Sequence, residues 1–308
     1  MYSIKGRYVF AYPGMAVVAE PTNLRRPPNE AGSLILQATV GCPWNRCVFC
    51  GNYKRKQFLP RYPEVLEDVE LAKEVFGERP RRIFLADANS IVLRTDWLCK
   101  ISEACYKAFP MLEEVSTYGG ARFVLKKGSG ELGRLREAGI GKVYIGLESG
   151  DDALLERMNK GSTANEMVEA GRLVREADMK LSVTVIQGLG GAGNWERNAE
   201  STAQVINAMR PNETRLHNLV VHPDSPLQAI IDQGEFCEAS MEEVLRETRE
   251  LIRRIEVETE VYTYASNYLR PGLLDGKLPK NREDMLNVLD FTLSSPDKSL
   301  YLQRMRLI

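Results

Sequence analysis

Three thiols set the chemistry open to this chain. Cys42, Cys47 and Cys50, three of its six cysteines, fall within nine residues of the stretch Gly41-Cys42-Pro43-Trp44-Asn45-Arg46-Cys47-Val48-Phe49-Cys50. Thiolates this close in sequence can hold three corners of an iron–sulfur cubane. A cubane has four irons, so one would lack a protein ligand and stay open to a small molecule. The alternative is zinc, which takes four ligands, often as two spaced pairs. His217, His222, Cys99, Cys105 or Cys237 would have to supply the fourth. In a reducing compartment, clustered cysteines serve metal binding or catalysis more often than disulfides.

Such a loop needs a scaffold. Residues 34–40 are a short apolar run closed by Gly41, the pattern of a buried strand. The cysteines therefore follow a strand's carboxyl end, where α/β folds place their chemistry. From there strand and helix alternate. The spacing predicts a helix over 64–76 with Val65, Leu66, Val69, Ala72 and Phe76 on one face, then a strand over 82–87. Thr95 is read as the cap of a helix bearing Leu98, Ile101, Cys105 and Ala108. A strand over 114–118, a helix over 125–138 and a strand over 142–147 follow. Asp151 or Asp152 caps a short helix through Met158, and Thr163 with Glu166 forms a capping box for the next. A strand over 181–187, a helix over 200–209 and a strand over 216–221 complete the alternation. After His222-Pro223 the pattern changes. Ser240 and Glu243 cap a helix to Arg254, 257–264 reads as an edge strand, and 281–293 as a last helix.

Strands each followed by a helix give a parallel sheet. The expected class is α/β: a partial (β/α)6 TIM-like barrel of parallel strands over residues 33–230. A proline-stiffened strap over 1–32 precedes it. A C-terminal α+β extension over 231–308 covers the barrel's open side.

The 308 residues are 44% apolar and 27% charged, the composition of a soluble globular protein. Lys and Arg total 41 against 42 Asp and Glu, so no strong global pull on nucleic acid or acidic lipid is expected. No apolar run reaches membrane-spanning length, and the start, Met1-Tyr2-Ser3-Ile4-Lys5-Gly6-Arg7, has no signal-peptide core. A cytoplasmic protein without membrane partners is expected.

The cysteine loop and the strand-end motifs after it resemble the radical S-adenosylmethionine (SAM) superfamily. The likeness is to the branch of oxygen-independent coproporphyrinogen oxidases, tRNA methylthiotransferases and the Elongator catalytic subunit, over residues 33–230. The commonest family loop has three residues, then two, between its cysteines. This one has four, then two, and Phe49 matches the aromatic before the last cysteine. The resemblance implies one 4Fe–4S cluster on Cys42, Cys47 and Cys50, with SAM chelated at its open iron. It implies an oxidoreductase or transferase that reductively cleaves SAM to a 5′-deoxyadenosyl radical, fed by a low-potential donor such as flavodoxin or ferredoxin. By position it also implies cofactor contacts. Asp87 and Asn89 would stand near the methionine amino group, Glu148 and Ser149 near the ribose, and Lys160 near the carboxylate. Gly188 and Gly190 would let backbone approach the adenine. Thr184 stands where some relatives carry an acid for the ribose.

Which substrate is a separate question. His217, near the end of the sixth strand, and Tyr264, Asn267 and Tyr268, after the late strand, are candidate substrate contacts. Motifs of the methylthiotransferase, acetyltransferase and cobalamin-binding additions are not found, so a small-molecule substrate is expected. Lys54-Arg55-Lys56 with Arg61 form a basic cluster, which leaves an RNA-modifying enzyme as an alternative. A non-catalytic iron–sulfur or haem carrier on the same scaffold is another.

Overall fold

The computed structural model describes residues 2–4, 7–12, 15–19, 26–54, 56–265, 269 and 272–295. It resolves into two units. The first is built from residues 1–45, 55–144 and 173–180, the second from 46–54, 145–172 and 181–308.

The first unit starts with β1 (Tyr2–Ile4), β2 (Arg7–Tyr12) and β3 (Met15–Ala19). The strap expected over 1–32 thus carries three strands. β1, β2 and β3 pair antiparallel, and β3 then joins β4 (Leu34–Gln37) in parallel. The alternating run Tyr8-Val9-Phe10-Ala11-Tyr12 suits such a ladder. The single strand expected over 34–40 is split. After β4, Ala38 N–H still donates to Ala86 O, at 2.6 Å. β5 (Thr39–Val40) then turns away to pair antiparallel with β6 (Leu59–Pro60).

The alternation follows with α1 (Glu64–Phe76), β7 (Arg82–Ala86), α2 (Thr95–Ala108), β8 (Glu114–Tyr118), α3 (Ala121–Glu137) and β9 (Ile140–Glu148). β4, β7, β8 and β9 pair in parallel. All of β4 is buried, as expected of a parallel sheet covered on both faces. Helix α1 buries Val65, Val69, Ala72 and Phe76 of the stripe its periodicity predicts, while Leu66 is only partly covered.

Two expectations change here. Thr95 does not cap α2, since Arg94 stands at the cap position. Its hydroxyl instead donates to Glu131 Oε2 at 2.6 Å and accepts from Lys127 Nζ at 2.8 Å, tying α2 to α3. Helix α3 begins earlier than expected and is two helical segments meeting at Gly128, whose φ of 67° only glycine adopts readily.

Within this unit Phe84, Tyr118 and Tyr144 meet edge to face, with ring centroids 4.9–6.1 Å apart. Buried Glu30 accepts from Tyr144 Oη at 2.5 Å and Ser116 Oγ at 2.9 Å, pinning the 28–30 turn to β8 and β9. Arg61, read as part of a basic cluster, is instead 4% exposed. Its Nη1 donates to Gln37 O at 2.7 Å and to Asp68 Oδ2 at 2.8 Å. It thus joins α1 to the end of β4 and is not presented to a nucleic acid. Asp68→Ala leaves that guanidinium buried beside a lost partner. The urea midpoint should fall by the equivalent of about 3–5 kcal/mol.

In the second unit β9 continues and pairs with β10 (Lys180–Gln187), which pairs in parallel with β11 (Glu213–Asn218). Between strands run α4 (Asp152–Arg157), α5 (Ala164–Glu176) and α6 (Trp195–Met209). Asp151 caps α4 through Ala153 N–H, and both arms of the Thr163/Glu166 box form. β11 lies three residues earlier than expected. Past it, Leu219 N–H donates to Gln187 O, and Leu219 and Val221 pack against Leu189 and Leu227. Packing covers Leu219 and Val221 only in part, and Val220 is 59% exposed.

The remainder is α7 (Pro226–Asp232), α8 (Met241–Arg254), β12 (Thr259–Ala265), β13 (Gly276–Leu278) and α9 (Arg282–Ser294). The Ser240/Glu243 capping box opens α8. β12 is not an edge: it pairs in parallel with β11 and antiparallel with β13. The class is α/β as expected, with parallel strands alternating with helices. Among the described residues neither sheet closes on itself. Among the described residues no helix is long and apolar enough to cross a membrane.

Candidate active site

The cysteine loop divides between the units, with Cys42 in the first and Cys47 and Cys50 in the second. All three are reduced thiols, partly exposed.

On the first unit's side the loop leaves β5 through Gly41, at φ +73°. A Cβ there would lie 2.8 Å from Gln57 O, so the turn requires glycine. Gly41 N–H donates to Oδ2 of fully buried Asp87 at 3.3 Å, which ties the loop to the end of β7. Asn45 N–H donates to Cys42 Sγ at 3.4 Å. Asn89, 5% exposed, accepts from Gly120 N–H at 2.8 Å. Its oxygen holds the turn after β8.

On the second unit's side Val48 is clamped by its backbone. Its N–H donates to Met158 O at 2.9 Å, and its carbonyl accepts from Leu227 N–H at 3.0 Å. Val48 and Phe49 pack on Leu154, Met158, Leu189, Leu227 and Phe236. The aromatic before the last cysteine is therefore an anchor. Cys50 N–H donates to Cys47 O at 3.4 Å, so the two thiols sit on one turn held by that anchor.

Gly51 follows, and a Cβ there would come within 2.6 Å of the His222 ring. That ring is oriented by Asp224 N–H, which donates to Nδ1 at 3.0 Å. Gly51→Ala should cost about 1–3 kcal/mol of stability through overpacking. His222→Ala in the same chain should restore most of it, and a double-mutant cycle by chemical denaturation reads the coupling.

Glu148 and Lys160 form an ion pair at 2.7 Å, with side chains 12% and 16% exposed. Glu148 sits at φ +64°, strained for a residue other than glycine. Gly146 makes room, since a Cβ there would lie 2.2 Å from Glu148 Oε1 and 3.0 Å from Lys160 Nζ. Together they place one carboxylate and one ammonium at the end of β9. Such a pair suits an amino acid-like ligand, whose charges are complementary.

Ser149 is fully buried and its hydroxyl is turned inward, donating to Asn198 Oδ1 at 2.5 Å. Asn198 Nδ2 donates to Glu247 Oε1 at 2.7 Å, and Gly188 N–H donates to Glu247 Oε2 at 3.0 Å. One carboxylate on α8 thus holds the loops after β9 and β10. Burial pushes its carboxyl up to about 8, against the lowering pull of Gly188 and Asn198. The sequence reading missed Glu247 and Asn198. The available signal was an acid on the apolar stripe of Val244, Thr248 and Leu251. Gly188, at φ +76°, and Gly190 lie in that held loop. A Cβ would lie 3.1 Å from Val244 at Gly188 and 3.0 Å from Asn194 at Gly190.

His217, on β11, is partly covered. Burial, and secondly the Arg215 guanidinium, push its pKa down to about 3. Its imidazole is therefore neutral across the physiological range. Asn267, Tyr268 and the Tyr264 side chain lie outside the described residues.

Among the described residues no three Cys, His, Asp or Glu side chains converge as the ligands of a single ion. A cubane spreads its thiolates over separate irons and asks for a donor set of another kind. Three reduced thiols with an N–H···S contact and a backbone-clamped turn fit it in kind.

Residues 36–206 match the profile described as Radical SAM superfamily. Two of the curated proteins that are similar follow. One is the 4′-phospho-dehydrooxetanocin synthase of Priestia megaterium, 24% identical over 278 residues, covering 83% of this chain and 34% of that protein. The other is the anaerobic magnesium-protoporphyrin IX monomethyl ester cyclase of Cereibacter sphaeroides, 28% identical over 203 residues, covering 65% of this chain and 32% of that protein. The chain thus spans about a third of the length of these relatives. Among solved structures, the coproporphyrinogen III oxidase of Escherichia coli, described as a radical SAM enzyme, superposes with a TM-score of 0.54. It is 15% identical over 73% of this chain and 52% of that one, a likeness of fold.

Proposed function

This chain belongs to the radical SAM superfamily, and on that premise we propose that it is an enzyme acting on a small-molecule substrate with one 4Fe–4S cluster and SAM. Cys42, Cys47 and Cys50 would hold the cluster. The chemistry supplied when both groups are bound is one-electron cleavage of the sulfonium to methionine and a 5′-deoxyadenosyl radical, which takes a hydrogen atom from the substrate.

The protein's own part is holding and shielding. Lys160 would meet the carboxylate of the amino acid moiety and Glu148 the ribose hydroxyls, in exchange for their mutual 2.7 Å pair. The Gly188–Gly190 loop, fixed from below by Glu247, presents backbone to the adenine. Asp87 holds the start of the cysteine loop through Gly41 N–H. A low-potential flavodoxin or ferredoxin supplies the electron. The two similar proteins are named for very different molecules, so their names do not choose a substrate.

What carries this reading is the convergence of the Glu148–Lys160 pair, the anchored Cys47–Cys50 turn and the family match, which spans all three thiols. The test is anaerobic reconstitution with iron and sulfide, reduction by dithionite and chromatography for 5′-deoxyadenosine. Formation that needs SAM and drops at least tenfold in Lys160→Ala is expected. No product above a cluster-free control would overturn the reading.

A further inference from the structure

We propose that the second unit carries an oxyanion subsite, built on one face of its sheet by Arg215 with Ser182, Thr184 and His217, that binds a carboxylate or phosphate of a small molecule. Calling that molecule the substrate rests on the function proposed above; the subsite itself does not.

The face is identified by alternation. Leu181, Val183, Val185 and Leu216 are at most 1% exposed. Leu181 and Met209 both crowd Gly171 of α5, where a Cβ would meet them at 3.1 and 2.9 Å. Those strand residues therefore face the helices. Ser182, Thr184, Arg215 and His217 face the other side. In parallel barrels that side is ordinarily filled by branched apolar residues. Here the register sets Thr184 beside Arg215 and Arg215 beside Tyr262, with Ile186 beside His217 one row further on.

Arg215 is 4% exposed. Its Nε donates to Ser182 Oγ at 3.2 Å and an Nη2 proton goes to Thr184 Oγ1. Two of its acceptors are thus neutral hydroxyls, which fix the plane of the guanidinium fork, the arrangement that suits a planar or tetrahedral oxyanion. Glu213, Ser182 and Glu260 occupy the row before, toward the strands' amino ends. The carboxylates there close the floor and turn an incoming anion toward the Arg215 row. Neutral His217, toward the carboxyl ends, offers a hydrogen bond without competing charge.

The rows also set a length. Gly188 lies four residues beyond Thr184, about 13 Å along the strand at ~3.3 Å per residue. A molecule of roughly 10 Å, with its anion on Arg215, would present its other end to the Gly188 loop.

The chain has two histidines, so ring-labelled histidine gives two reporters. The cluster-loaded, oxidised full chain would be titrated by NMR with inorganic phosphate and, separately, with glutarate. The His217 ring signal should move saturably with at least one anion while His222 stays in place. Which anion works separates a phosphate from a carboxylate ligand. Arg215→Gln should weaken the response at least tenfold, and Arg215→Lys, which keeps charge but loses the fork, should fall between. If Arg215→Gln does not fold, Thr184→Val, which frees the fork, decides by the same signal with at least a threefold weakening. A His217 signal that moves with neither anion, or equally in wild type and variants, overturns the subsite. Failure of 5′-deoxyadenosine formation with a saturable His217 response would instead overturn the function proposed above and leave the subsite standing.

Discussion

Replacing Cys42, Cys47 or Cys50 singly by alanine should lower reconstituted iron from about four atoms per chain to less than one, and 5′-deoxyadenosine to background. Removing one of three thiolates leaves two corners of the cubane without protein ligands, and such clusters decompose. The fold should survive, because the Val48 backbone and the packing of Val48 and Phe49 anchor the loop. Far-UV circular dichroism and the denaturation midpoint should therefore stay near wild type. The other three cysteines are internal controls. Cys105 is fully buried and burial pushes its thiol up to about 12, which makes it inert as a ligand. Cys99 donates to Arg134 O at 3.7 Å, and burial raises its thiol too. Cys237 is exposed and donates to Glu238 O at 3.7 Å. Alanine at any of these should leave iron content unchanged. Equal loss of iron at Cys237, or full iron in Cys42→Ala, would contradict the assignment.

The second large effect is on stability, and it comes from Glu247. Its carboxyl is pushed up from the ordinary 4.5 to about 8 by burial. Between those values the unfolded chain releases this proton and the folded chain retains it. The folded state thus binds more protons, and stability falls as pH rises. The contribution is fully present below about pH 4.5, is lost progressively up to about pH 8 and is flat beyond. The slope is about 1.4 kcal/mol per pH unit, for a total on the order of 5 kcal/mol. Other groups act in the same window. His217, depressed from 6.5 to about 3, contributes stability above pH 6.5 that is lost as pH falls. A difference measurement cancels it. Glu247→Gln can still accept from Gly188 N–H, and it cannot titrate. The stability of wild type minus that of the Glu247→Gln variant, from urea curves at several values between pH 5 and 8, should therefore fall with pH. Parallel profiles would mean the carboxyl is ionised throughout. Glu247→Ala is a different experiment, since it leaves Gly188 N–H and the Asn198 amide with a lost buried acceptor.

What could be read from residue order depended on whether the cause was local. The helix Glu64–Phe76, the strand Glu114–Tyr118 and the boxes at Thr163/Glu166 and Ser240/Glu243 follow from periodicity and caps within a few residues. Leu219-Val220-Val221 misled, because an apolar run looks the same whether it lies in a ladder or, as here, runs on past one with Val220 exposed. Thr95 looked like a cap, yet its partners are 32 and 36 residues away. Arg61 looked like surface charge, because the carbonyl and carboxylate it meets come from other elements. The same distinction runs through the site. The three thiols stood out by spacing after a strand end, and Glu148 and Lys160 entered as candidates through the family resemblance. That Ser149 turns inward and that Glu247 holds Gly188 from 59 positions away required the fold.

The most direct test of the central claim is electron paramagnetic resonance of the anaerobically reconstituted, dithionite-reduced chain, before and after addition of SAM. A cluster held by Cys42, Cys47 and Cys50 has one iron open to a ligand, so the reduced-cluster signal should change in g-values and line shape on adding SAM. In Lys160→Ala that change should need at least tenfold more SAM. A reduced signal that SAM leaves unaltered would mean that a fourth protein ligand fills the corner, and would contradict the proposed chemistry.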